Sequence, residues 1–449
     1  MRPRVRVIPF LLLSLSCLSP AVRSEETVVL FPDSVAQTIE GWGGHVYPQG
    51  YAFLSTDTSL MRKMLVELRT THMRVRSIWY ELEAANDNDD PTRIDTAAIA
   101  RGDTGLVHQE LLFQQELSQR GVKLLFASWR FPYWMIGKPA RWRPTPEERP
   151  PLPSGMEEEY VESLCAYLLY ARDRYGIVFD AVSVANEPDI GIYIDGLDPA
   201  RLLRLTRMLR SRLEANGYLT RYYLPDAAAA DSISAGYVHR FFAEPGAAGA
   251  TCAVSYHSYR RQLDHIASFA ALATTFRLPV WVTEQNDTHL AAPDRHLWSH
   301  ALKNAVCLQE LLVVGGASLS VHFSFVMASS GGLGIYQPEY ARWTPTYTML
   351  KHFQNHIPPG SRRIATEPFL TPSGVLASAF LRDDGRIVCL LVNPGSAPST
   401  VHLKLPGERV ALEQVRLSTA GSAYEHLEAT QALVLPPESV ATAVLGRHE

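Results

Sequence analysis

The chain has 449 residues, of which 46% are hydrophobic and 20% charged, with a formal net charge of −4. That length and apolar content suffice for one large folded domain and a smaller one. The mildly acidic balance supplies no basic surface, so neither nucleic acid nor an anionic membrane is an expected partner.

The N-terminus carries Arg2, Arg4 and Arg6, then an apolar run over 7–18, then small residues near Ala21 and Ser24. This is the pattern of a signal peptide over residues 1–24, and the run is too short to span a bilayer comfortably. The mature protein is therefore expected outside the cytoplasm, secreted or periplasmic. The leader holds four arginines and no acid, so its removal takes the net charge to −8. No later apolar stretch is long enough for a transmembrane segment. Cys165, Cys252, Cys307 and Cys389 lie in apolar runs without paired spacing, which reads as buried free thiols rather than a disulfide framework or a metal site.

From residue 33 to 357, short apolar strands alternate with amphipathic helices. The strands are expected at 38–44, 72–78, 122–128, 180–185, 221–224, 252–257, 280–284 and 317–322. Between them, Leu60, Met61, Met64, Leu65 and Leu68 recur at helical spacing after a cap at Asp57, and Leu202, Leu205, Met208, Leu209 and Leu213 do the same. Eight strand–helix units predict a (β/α)8 TIM barrel, with a doubly wound sheet as the runner-up. The first strand is not followed by Gly-x-Gly-x-x-Gly, which weakens a dinucleotide-binding sheet. The Pro-rich stretch 139–153 suits a long loop over the active face. After residue 358 the pattern changes to short alternating strands. A hairpin is expected around Asp383-Asp384-Gly385, within a smaller antiparallel β-sandwich over 358–449. Residues 25–32 are expected to add a strand to that sandwich.

Two carboxylates sit at the ends of apolar strands. Glu187 lies in Ala185-Asn186-Glu187-Pro188, and Glu284 ends Val280-Trp281-Val282-Thr283-Glu284. Strand tips of a barrel converge on one face, so the two can meet in space. Hydrolysis of a glycosidic bond needs such a pair: one carboxyl protonates the leaving oxygen, and the other attacks or stabilises the sugar carbon. Trp129 and Trp134 lie near the third strand tip and could stack on pyranose faces. There is no His-Glu-x-x-His, no Gly-x-Ser-x-Gly and no phosphate-binding loop. The acidic run 87–90 lacks the Gly and distal Glu of a calcium-binding EF-hand loop and reads as a solvated loop. No metal or cofactor is expected. The sequon Asn286-Asp287-Thr288 lies two residues past Glu284, where a glycan would obstruct the cleft.

Several of these segments resemble glycoside hydrolase family 30, within the larger clan of retaining (β/α)8 glycosidases. Ile39-Glu40-Gly41-Trp42-Gly43-Gly44 resembles the opening strand, and Met73-Arg74-Val75-Arg76 the second, with Arg74 the better match to the clan's arginine. Ser128-Trp129-Arg130-Phe131-Pro132-Tyr133-Trp134-Met135 is similar to the run after the third strand. Val184-Ala185-Asn186-Glu187-Pro188, Tyr256-His257-Ser258-Tyr259 and Trp281-Val282-Thr283-Glu284 resemble the fourth, sixth and seventh strand ends. The resemblance implies that Glu187 is the acid/base, Glu284 the nucleophile and Asn186 the partner of the sugar 2-hydroxyl. It also departs from the family: Trp42 and His45 stand in the first strand, and the eighth strand tip, Val321-His322-Phe323-Ser324-Phe325, lacks a tryptophan.

Such a mechanism needs the two carboxyls kept unequal. Arg74, His257 and Tyr259 are expected to hold Glu284 low, with Tyr259 touching it. A drier pocket is expected to hold Glu187 high. The expected partner is a β-linked glycan or glycoconjugate, and the expected state a monomer. The alternative is a catalytically silent carbohydrate-binding protein on the same scaffold, and the presence of both glutamates favours the enzyme.

Overall fold

The computed structural model describes residues 24–448 apart from 47–49, 52, 55–56, 89, 144, 146–147, 149, 191–196, 289–295, 328–333, 408 and 431. All but the last residue of the expected signal peptide thus lies outside the described residues.

The chain begins with β1 (Ser24–Thr38) and then builds a parallel ring. The ring strands are β2 (Gly41–Val46), β3 (His72–Arg76), β4 (Lys123–Ala127), β5 (Ala181–Ser183), β6 (Arg221–Tyr222), β7 (Leu224–Ala227), β8 (Val254–His257), β9 (Val280–Gln285) and β10 (Ala317–Val326). Their spatial order is β6-β5-β4-β3-β2-β10-β9-β8-β7. β6 and β7 are two halves of the fifth barrel strand, interrupted at Tyr223, so the ring closes through that broken strand. A small pair, β11 (Tyr336–Gln337) and β12 (Arg342–Trp343), extends β10 within the last long loop.

The continuous apolar runs of these strands follow from burial on both faces. In β9, Val280 and Val282 point outward into the layer between strands and helices, while Trp281 points inward. The inward layer also holds Leu125, Ala127, Tyr223, Leu319 and Val321. It fills the barrel below the strand tips, so polar side chains at the tips stand on a dry floor.

The second sheet has nine strands in the order β18-β17-β20-β15-β14-β13-β1-β16-β19. After β13 (Arg362–Glu367), the hairpin of β14 (Leu376–Leu381) and β15 (Ile387–Asn393) turns at Gly385, whose φ of 80° suits glycine. β16 (Ser399–Lys404), β17 (Arg409–Thr419), β18 (Ser422–Leu427), β19 (Leu433–Leu435) and β20 (Ser439–His448) complete it. One pair departs from the antiparallel expectation, since β1 and β16 run parallel. β1 is also longer than residues 25–32. Register shifts between Phe31 and Val35 and between Val35 and Thr38 let it pair past Pro32, and the first barrel strand starts only at Gly41.

The sheet buries both of its faces. Ala377, Ala379, Cys389 and Leu391 point into the sandwich, while Leu376, Phe380, Val388, Leu390, Val392 and Val444 join the core of the barrel. Trp298 donates its indole N–H to the Glu438 carbonyl at 2.6 Å, and His352 bridges Thr442 and Ser418 at 2.8 Å each. Phe380→Ala should therefore cost about 3–5 kcal/mol, read as a lowered urea midpoint. A cost below ~1 kcal/mol would contradict a shared core.

Candidate active site

Glu187 follows the short strand β5. The Asn186 amide donates to the Ser128 carbonyl at 2.8 Å, and the Glu187 amide to the Asp226 carbonyl at 3.1 Å. Glu187 itself is left-handed, with φ of 52°. A glutamate there costs on the order of 1–3 kcal/mol, and the surrounding hydrogen bonds hold it. Its side chain meets His257, whose Nδ1 lies 2.9 Å from Glu187 Oε1 and 3.5 Å from Glu284 Oε2. One oxygen of each glutamate and a ring nitrogen of His257 all lie within 4.8 Å of one another.

Glu284 is fixed from two other sides. Arg74 Nη1 donates to its Oε1 at 2.5 Å, and the Tyr259 hydroxyl donates to its Oε2 at 2.8 Å. The two arginines of β3 share a face but separate by depth. Arg74 is fully buried at the strand's centre, whereas Arg76 lies further out, over the Trp129 ring at 4.4 Å. Arg74 Nη2 donates to Asn186 Oδ1 at 2.6 Å and to Asp226 Oδ2 at 2.9 Å. Asn186 keeps its Nδ2 donors without a partner among the described residues.

The expected aromatic pair is divided. Trp129 packs at the barrel mouth with His45 and Phe323. Trp134 does not join it: the turn Tyr133–Ile136 lays it against the outer core, beside Glu83. His45 is buried, and burial first, then Arg74, Arg76 and His257, lower its pKa, so it stays neutral. The sequon residue Asn286 is also buried, donating its amide to the Phe323 carbonyl at 2.7 Å, which leaves no path for a glycan.

Asp226 is the residue that sequence reasoning missed. It lies at the tip of β7, fully buried, 2.9 Å from Arg74 and 3.4 Å from His257 Nε2, and accepts from the Thr283 hydroxyl at 2.6 Å. Its signal is the same as that of the two glutamates, a carboxylate ending a strand. The fifth strand was expected to stop at Leu224, whereas it runs on to Ala227 and takes in Asp226.

Burial opposes the Asp226 charge, but Arg74 and then His257 outweigh it and bring the pKa to about 2. His257 moves the other way. Burial lowers it, yet Glu284, Asp226 and Glu187 together raise it to about 10, making it an imidazolium. Glu284 departs from expectation. Full burial raises its pKa above the ordinary glutamate value; His257 and Arg74 pull it down, and Glu187 pushes it up. The expected low value neglected the cost of desolvating the carboxylate.

Residues 360–443 match the glycosyl hydrolase family 30 beta sandwich domain. No curated protein sequence matches the chain. Solved structures match it along nearly its whole length. A family 30 endoxylanase from Clostridium papyrosolvens C71 is 17% identical, covers 94% of this chain and 100% of its own, and has a TM-score of 0.70. The catalytic domain of xylanase C from Talaromyces cellulolyticus is 19% identical, with 94% and 100% covered and a TM-score of 0.69. A conserved exported protein from Bacteroides fragilis is 16% identical, with 93% and 100% covered and a TM-score of 0.70. At these identities the likeness concerns the fold, a TIM barrel with a β-sandwich. With the sandwich match, it supports a glycoside hydrolase, and more narrowly family 30. No helix among the described residues is long and apolar enough to cross a membrane.

The charges set a pH dependence. Asp226, with a lowered pKa, contributes stability above its ordinary value near 4 and loses it as pH falls toward about 2. His257, with a raised pKa, contributes below about 6.5 and loses it as pH rises through about 10. Asp226→Asn removes one of the charges that raise His257 and breaks a buried ion pair, an effect of about 3–5 kcal/mol. Thermal melts from pH 5 to 10 should show a lower Tm for the variant, with the alkaline decline starting near pH 6.5 in both proteins but levelling off at lower pH in the variant, so that the gap between them narrows as pH rises. Parallel profiles for the two proteins would contradict the link between Asp226 and His257.

Proposed function

We propose that this chain is a secreted retaining β-glycosidase of family 30, with Glu284 as nucleophile and Glu187 as acid/base. The observation that carries the reading is the approach of the two carboxylates. An oxygen of each lies within 4.8 Å of the other, on the side of the retaining spacing of about 5–5.5 Å rather than the inverting spacing of about 6.5–9.5 Å. The substrate is a β-linked glycan or glycoconjugate. The domain division is the barrel, expected over 33–357 but beginning at Ile39 because β1 pairs within the sandwich sheet as far as Thr38, and the sandwich over 358–449 with β1. Export rests on the arginine-led apolar N-terminus and suits the likeness to an exported protein.

In the first step, the Glu284 carboxylate forms a bond to the anomeric carbon as the glycosidic bond breaks. Glu187 gives its proton to the departing oxygen, and the leaving group departs as an alcohol. In the second, Glu187 takes a proton from water, whose oxygen attacks the anomeric carbon and releases Glu284. Arg74 and Tyr259 orient the nucleophile and help hold its charge. The free Asn186 Nδ2 can donate to the 2-hydroxyl. Trp129 and His257 line the sugar site.

NMR of the first-formed product should show the β-anomer; an α-anomer would remove Glu284 from the nucleophile role. Glu187→Ala should lower turnover by about 10²–10⁴, least for substrates with good leaving groups. Azide should then restore it by forming a β-glycosyl azide, whereas Glu284→Ala with azide should give the α-glycosyl azide. Full activity of either variant would remove the pair from catalysis.

Tyr259→Phe deletes one donor to Glu284 and should lower kcat about 10-fold or more, with the acidic limb of the pH–rate profile moved to higher pH. An unchanged kcat and limb would remove Tyr259 from the site.

A further inference from the structure

A second group of carboxylates lies outside the cleft. Glu83 and Asp87 belong to the segment after the short helix Trp79–Glu81, which follows β3, and Glu162 projects from the helix Glu157–Tyr175. One carboxylate oxygen of each lies within 4.8 Å of the others. Glu83 is 3% exposed and Glu162 is 1% exposed.

Their hydrogen bonding is what sets them apart from an ordinary acidic patch. Glu83 Oε2 accepts from the Ser163 hydroxyl. Glu83 Oε1, both Asp87 oxygens and both Glu162 oxygens are buried and have no hydrogen-bond partner among the described residues. No arginine, lysine or histidine among the described residues pairs with any of the three; Arg212, which reaches this segment, is bound to the Pro91 carbonyl and to Glu158. Buried acceptors without donors are rare in folded proteins, and buried carboxylates without cations rarer.

We propose that Glu83, Asp87 and Glu162 bind a structural Ca²⁺ ion. The donors are all oxygens, which selects a hard cation over zinc or copper. Three carboxylates can supply up to six oxygens by bidentate contact, within the 6–8 that Ca²⁺ takes, and their burial leaves little room for the waters that Mg²⁺ retains. The ion ties the segment after β3 to the helix after β4. It also steadies Trp134, whose indole lies beside Glu83, and with it the run from Trp129 that borders the cleft.

The test uses the full chain, stripped of metal with chelator. Added Ca²⁺ should raise the Tm by about 3–5 °C at roughly 100-fold excess over its Kd. Tb³⁺ should luminesce on tryptophan excitation, because Trp134 is adjacent, and Ca²⁺ should quench that emission by displacement. Glu162→Gln keeps the shape and removes one charge, so it should abolish the Tm shift and lower the Tb³⁺ emission at least 10-fold. Should that variant fail to fold, Glu83→Gln and the Ca²⁺–Tb³⁺ competition on the unaltered chain decide. No response of the stripped chain to Ca²⁺, with Glu162→Gln melting at or above its Tm, would overturn the proposal, the cluster then holding shared protons instead. A shift with Mg²⁺ and none with Ca²⁺ would overturn the identity of the ion.

Discussion

Arg74 carries a permanent positive charge with no access to solvent, and the strand tips are arranged to answer it. A buried guanidinium without partners would destabilise the fold severely. Its partners come from around the ring: Glu284 from β9, Asp226 from β7, Asn186 just past β5, and Tyr223 between β6 and β7 at 3.4 Å. Satisfying one cation therefore fixes the relative positions of four separate stretches of chain. In the proposed mechanism, the attacking carboxylate and the amide that holds the sugar are oriented by the same side chain.

The rest of the mouth sets the strength of these interactions. His45, Trp129, Phe323 and Tyr259 close one side with rings, His45 and Phe323 only 4.7 Å apart by centroid. Phe323, on the eighth strand tip that lacks a tryptophan, packs edge-on to Tyr259. Rings exclude water, and in a dry site each charge acts more strongly on its neighbours. That explains why His257 is driven to an imidazolium, while Glu284 is raised by its own burial despite two cations beside it.

The barrel strands were legible because each is an apolar run between helices of 3.6-residue period, and both glutamates were legible because each ends such a run. Asp226 was hidden by Pro225, which reads as the end of a strand although it lies within one. Alternation along β3 put Arg74 and Arg76 on one face but carried no information on depth. Nothing in the spacing of Trp129 and Trp134 tells which ring faces the mouth, because the short helical turn between them decides it. Glu162 follows the acidic stretch 157–159 at a helix N-terminus, where acids are ordinarily solvated, so its burial was not visible. The extension of β1 past Pro32 depends on bulges, and its parallel pairing with β16 on partners hundreds of residues away; local pattern records neither.

β1 gives the two domains an uncommon relation. It pairs with β13 on one side and β16 on the other, and the whole barrel lies between β1 and β13 in the chain. In topological terms, the barrel is an insertion into the sandwich rather than a domain followed by one. The polypeptide crosses the boundary twice, at Ile39–Glu40 and again at Ile357–Ser361, and the two crossings are joined where the Ile39 amide donates to the Ser361 carbonyl at 2.8 Å. A single linker permits swivelling between domains, whereas two crossings fastened side by side act as a clasp. The sandwich thus moves with the barrel as one body, and its sheet can close only after the entire barrel has been synthesised.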